Sequence, residues 1–212
     1  MVMKKKATKK AIVKKGPTSK SSAPSPRLRQ LRGVVINLES RPDRLEALQR
    51  TRKRNASWLK LERLSAVDGR ASSISEKDVV KSWSTERLAE MFHWYRSKKI
   101  KMSPGERGCC ASHLRAWRRC ARSGKALLVL EDDAVILPSF TETLKKALEE
   151  LPRDAGALWL TSKDRGTRQR VTSVLMKPHY LWTTVGYIIW PKAATGLETQ
   201  SKVLPNGHNV AH

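Results

Sequence analysis

The chain has 212 residues, 39% of them hydrophobic, and a formal net charge of +24. That is enough apolar material for one packed core, and it argues against a membrane-spanning chain, because no apolar run nears the length of a transmembrane helix. Three cysteines are too few for a disulfide-stapled scaffold, while the cationic excess points to a phosphate-bearing partner: nucleic acid, an anionic membrane or a nucleotide-linked small molecule.

The charge is uneven. Residues 1–32 hold eleven Lys or Arg and no acid, which leaves +13 for the rest. With almost nothing to bury, this stretch reads as a disordered basic tail, a tether to an anionic surface or nucleic acid, or a solubilising appendage. A folded domain is expected over 33–212.

Gly33 to Leu38 (GVVINL) is short, apolar and rich in β-branched residues, as a buried strand requires. Ser40, Pro42 and Asp43 then predict a capping box and a helix to about Asn55, with Leu45 and Leu48 turned inward. In an open α/β sheet the ligand crevice lies at the carboxyl ends of strands, where this turn would emerge. Arg41 and Arg44 there suit a diphosphate, since the guanidinium fork matches phosphate oxygens; a merely solvated helix start is the plainer reading.

LKLERLSAV (residues 59–67) predicts another strand, closed by Asp68-Gly69, a turn signal. Residues 71–101 lack a clean period, and their aromatics Trp83, Phe92, Trp94 and Tyr95 are expected in the core or in a lid. Ser103-Pro104-Gly105-Glu106 is the clearest helix start in the chain, with Ser as N-cap, Pro at the first position and Glu bonding back. The helix should stop at Gly124. Its period puts Cys109, His113, Ala116 and Cys120 on one side, flanked by Cys110, Leu114, Trp117 and Ala121, and a wet row of Arg107, Arg115, Arg118 and Arg122 on the other. The cysteines lack metal-ligand spacing and read as reduced thiols packed mostly in the core, which favours a reducing compartment.

Ala126 to Phe140 (ALLVLEDDAVILPSF) is the stretch with most chemistry. Five apolar residues of a buried strand run into Glu131, Asp132 and Asp133. Adjacent carboxylates repel and lose hydration, so they persist where a cation sits among them, most simply a divalent metal with oxygen ligands. An acidic, solvated loop is the competing explanation. Beyond it, Ser139 with Glu142 predicts a capped helix to Leu151, and strands are expected at 156–161, Val171 to Leu175 and Tyr187 to Trp190. Asp164 to Arg170 reads as a polar loop, and Pro191 opens a last helix.

VVINLESRPDR, AVDGR, MSPGERGCCASHLRAW, ALLVLEDDAVI and GYIIWPKAA, in that order, resemble glycosyltransferase family 25 over residues 33 to about 197. The resemblance implies a GT-A-like α/β fold with a mainly parallel sheet flanked by helices, and inverting transfer of a sugar, often galactose, from a UDP-sugar to a hydroxyl-bearing glycan, lipid-linked glycan or protein. By position, Asn37, Leu38, Arg41 and Arg44 would belong to the donor-side turn and Asp68 with Gly69 to the nucleoside pocket. Ser112, His113 and Asp132 would also face the donor. Glu131 and Asp133 would hold Mn²⁺ or Mg²⁺. No catalytic base is assigned, because the chain ends just short of the family's acceptor-side acidic block, as a fragment would. Two other functions follow from the same residues: nucleic-acid binding through the Lys-rich tail, and donor binding without turnover. Without an amino-terminal apolar signal, a soluble protein is expected, cytoplasmic or of a location the sequence does not name.

Overall fold

The computed structural model describes residues 28, 30–92, 94–161, 169–178 and 183–199. Its centre is a five-stranded sheet of β1 (Arg32–Asn37), β2 (Lys60–Ser65), β5 (Leu127–Glu131), β6 (Ala157–Trp159) and β9 (Gly186–Ile189), in the order β2-β1-β5-β9-β6. The sheet is mixed rather than mainly parallel, with two parallel and two antiparallel pairings. Strands β2, β1 and β5 run parallel, β9 runs against β5, and β6 pairs antiparallel with β9. GYII is apolar enough for a central strand, but an apolar run carries no sign of its direction.

Both faces are covered. Val34, Ile36, Val129, Tyr187 and Ile189 pack on one side with Cys110, Leu114 and Trp117 of α3 (Pro104–Ser123) and with Ala194 and Leu197 of α5 (Pro191–Thr199). The intervening residues Val35, Leu128, Leu130 and Ile188 pack on the other side with Leu48 of α1 (Pro42–Asn55) and Leu144 and Ala147 of α4 (Phe140–Glu150). This period-2 division between two cores is why these strands read as unbroken apolar runs. Leu28 and Leu31 are buried in the second core, so the last described residues of the basic segment belong to the folded domain.

Helix α3 forms as its sequence dictates. Ser103 Oγ accepts from the Glu106 amide, Glu106 bonds back to the Ser103 amide, and Gly124 ends the helix in the left-handed region at φ 63°. The other expected boxes do not form. α1 is preceded by Arg41 as N-cap with no side-chain cap, and Asp43 is engaged by the Arg41 guanidinium instead. Ser139 likewise precedes α4 without capping it.

Residues 171–175, expected as a strand, are the turn between β7 (Gln169–Arg170) and β8 (Met176–Lys177), where Thr172 Oγ1 accepts from the Val174 and Leu175 amides. A threonine that bonds the backbone ahead of it competes with strand pairing. The expected loop at 164–170 lies outside the described residues except for Gln169 and Arg170, which pair in β7. The 71–101 segment becomes a hairpin of β3 (Ser82–Ser84) and β4 (Lys99–Lys101) around the short α2 (Glu86–Met91). Its aromatics divide: Trp83 is buried, whereas Trp94 is 61% exposed. Among the described residues no helix is long and apolar enough to cross a membrane.

Candidate active site

Register places the carboxyl ends of β1, β2 and β5 along one edge of the sheet: Asn37 is opposite Ser65, and Ile36 is opposite Glu131. Because β9 runs the other way, it brings Thr184, two residues before its start, to the same edge. The acidic run and the arginine-bearing turn therefore meet.

Asn37 is the joint. Its side chain, 2% exposed, donates from Nδ2 to the Arg41 carbonyl and to Asp132 Oδ2, both at 2.8 Å, while its Oδ1 accepts from Arg63 Nε at 3.0 Å. The amide orientation is fixed, because only nitrogen can face two acceptors and only oxygen can face the guanidinium. Asp132 is engaged at both oxygens, since Arg44 NH1 reaches Oδ1 at 3.2 Å. Leu38 closes the same turn, its carbonyl accepting from the Arg41 amide. The Arg41 guanidinium turns to Asp43, and it holds that carboxyl down to about 2.

Glu131 is held from a different direction. Its Oε1 accepts from Thr184 Oγ1 at 2.6 Å and lies 3.2 Å from His113 Nε2. The other ring nitrogen, Nδ1, lies 2.8 Å from Tyr187 Oη, which also accepts from Trp117 Nε1 at 2.8 Å. Burial pulls the His113 ring down, but Cys109 and Glu131 outweigh it and raise it to about 9. A doubly protonated ring would donate from both nitrogens, one to Glu131 and one to Tyr187. Burial pushes Glu131 up, yet His113 and Thr184 together hold it below the ordinary carboxylate value.

Asp133 is the exposed member of the trio. Burial first, and then the charges of Glu131 and Asp132, raise its carboxyl above the ordinary value. That is where a cation would relieve the repulsion, and the oxygen donors of Asp133 and Glu131 suit a hard divalent ion.

The remaining expected site residues knit the loop after β2 to α3. Ser112 Oγ accepts from the Val67 amide at 2.8 Å and donates to the Gly108 carbonyl at 2.7 Å. Asp68 closes its turn by accepting from the Arg70 amide. Gly69 and Gly108 touch so closely that a Cβ on Gly69 would sit 1.7 Å from the Pro104 carbonyl oxygen, and one on Gly108 2.5 Å from that of Val67. AVDGR and SPGERGCCASH are thus two halves of one contact. Ser112 faces this loop, whereas His113, its neighbour in sequence, faces the acidic run.

Three contributors escape a reading of the sequence. Arg63 looks like an outward charge on an edge strand, Thr184 belongs to no motif, and Tyr187 reads as strand filler. Only pairing across the sheet brings them to Asn37, Glu131 and His113. Cys109, expected inside, is exposed, whereas Cys110 and Cys120 are buried; all three are free thiols. The arginine row is only partly wet: Arg107 donates to the carbonyls of Ile74 and Val79, and Arg118 pairs with Asp78.

Fold and site together define an α/β domain with an arginine-bearing turn and a three-carboxylate run gathered at one strand edge. The model of glycosyltransferase family 25 (LPS biosynthesis protein) matches residues 31–212, and the chain belongs to that family. It is similar to a protein of Acanthamoeba polyphaga mimivirus named "Putative glycosyltransferase", at 26% identity over 181 residues that cover 79% of this chain and 52% of the viral protein. The chain thus spans about half the length of that curated relative.

Proposed function

We propose that this chain is a GT-A-like glycosyltransferase domain that moves a sugar, galactose in the first instance, from a UDP donor to a hydroxyl of a glycan, lipid-linked glycan or protein with inversion. The observation that carries this reading is the double hold on Asp132 by Asn37 and Arg44, which ties the arginine-bearing turn after β1 to the acidic run.

Arg44 and Arg41 would offer guanidinium partners to a diphosphate, and Asp68 with Gly69 would form the wall for the nucleoside. Ser112 keeps that wall on α3, and His113 orients Glu131. Glu131 and Asp133 would hold Mn²⁺ or Mg²⁺, whose positive charge offsets that of the departing UDP. The basic amino-terminal segment adds a tether for an anionic surface or nucleic acid.

The test is UDP release from UDP-galactose with Mn²⁺, comparing the wild type with Asp133→Ala. Metal-dependent release that is lost in the variant supports the reading. Release that ignores the metal, or survives the substitution, sinks it.

A further inference from the structure

Glu131 has a second neighbourhood, formed by Cys109 and His113. Cys109 and His113 lie four residues apart on α3, which puts them on the same face one turn from each other. A sulfur of Cys109, a ring nitrogen of His113 and a carboxylate oxygen of Glu131 all lie within 4.8 Å of one another. We propose that these three residues form a site for a zinc-class divalent ion, distinct in chemistry from the all-oxygen pair of Glu131 and Asp133.

The geometry is near what such an ion requires. Zinc bonds of about 2.3 Å to sulfur and about 2.0–2.1 Å to nitrogen put neighbouring ligands of a tetrahedral shell roughly 3.3–3.6 Å apart. His113 Nε2 and Glu131 Oε1 already stand 3.2 Å apart. Cys109 is the exposed member, and its sulfur already lies within 4.8 Å of both partners. The far side of the ring is supported as metal-bound imidazoles are: Nδ1 keeps its hydrogen bond to Tyr187 Oη, which Trp117 holds in turn, so an ion would displace the Cys109 thiol proton and any proton on Nε2 and leave Nδ1 in place. Sulfur and imidazole ligands favour Zn²⁺ or Co²⁺ over Mg²⁺, and three protein ligands leave a fourth position open.

The other two thiols do not compete. Cys110 and Cys120 are buried in the core and neither belongs to the cluster. An ion in this site engages Glu131, so occupancy opposes use of that carboxylate by Mn²⁺ or Mg²⁺. Zinc-class ions would then inhibit transfer rather than support it. Only this last consequence rests on the proposed reaction.

The experiment is a titration of the metal-free full chain with Co²⁺, followed by its thiolate-to-metal charge-transfer absorption. The wild type gives a one-equivalent band, Cys109→Ser abolishes it, and Tyr187→Phe weakens affinity about 10- to 100-fold. Asp133→Asn keeps the band, which separates this site from the all-oxygen pair. No band in the wild type, or a band that persists in Cys109→Ser, overturns the proposal. Because the readout is absorption, it stands whether or not UDP is released.

Discussion

The Asn37 amide donates to Asp132 Oδ2 at 2.8 Å, joining residues 95 positions apart in the chain. The same amide group serves the Arg41 carbonyl and Arg63, so one buried side chain ties together the ends of β1 and β2, the start of α1 and the acidic run. Asn37→Asp keeps the shape but sets a carboxylate against Asp132 and the Arg41 carbonyl. It should cost about 1–3 kcal/mol in chemical denaturation and weaken UDP binding. Unchanged stability would mean that the amide is not the joint.

The contact of Gly69 with Gly108 leaves no room for a methyl group. Gly108→Ala should destabilise by about 1–3 kcal/mol through overpacking. Ser112→Ala should cost a similar amount, about 1–3 kcal/mol, because it strands the Val67 amide. Thermal denaturation checks both. Wild-type melting in both variants would show that the loop can leave α3 freely.

The His113–Glu131 pair makes stability depend on pH at both ends. His113 is raised from its ordinary 6.5, so its contribution is whole below that pH and fades as pH climbs through about 9. Glu131 is lowered from 4.5, so its contribution is present above that value and fades as pH falls through the depressed one. The melting-temperature gap between wild type and His113→Gln should therefore be widest from about pH 5 to 6.5 and close at alkaline pH. A gap of constant width up to pH 10 would rule out a charged ring.

If the proposed metal role holds, Asp133 sets stability against function. Its carboxyl is raised by burial and by its acidic neighbours, so its charge disfavours the fold. Asp133→Asn should melt at or slightly above the wild-type temperature. UDP release should meanwhile fall by about two orders of magnitude, the scale of losing a metal's charge stabilisation. A variant that melts much lower would give Asp133 a structural role instead.

Where local signals agree, the element follows from the sequence down to the residue. Pro104 and Glu106 after Ser103, with Gly124 at the other end, delimit α3 because each satisfies or ends the backbone by itself. Where a side chain had two possible partners, local reading failed. Asp43 was expected to serve the helix start and bonds Arg41, and Thr172 turned a supposed strand into a turn.

The sequence by itself determined the buried strands, the two long helices and the acidic run at a strand end, since these depend on periodicity and on residues a few positions apart. It also carried five family blocks, though not the reason they belong together. Tertiary structure alone decided that β9 runs against β5, that Asn37 reaches Asp132, and that Thr184 and Tyr187 converge on Glu131 and His113. Those partners lie tens of residues away, and strand direction and register choose them. A charge's neighbours in space set its chemistry, and a linear chain does not encode them locally.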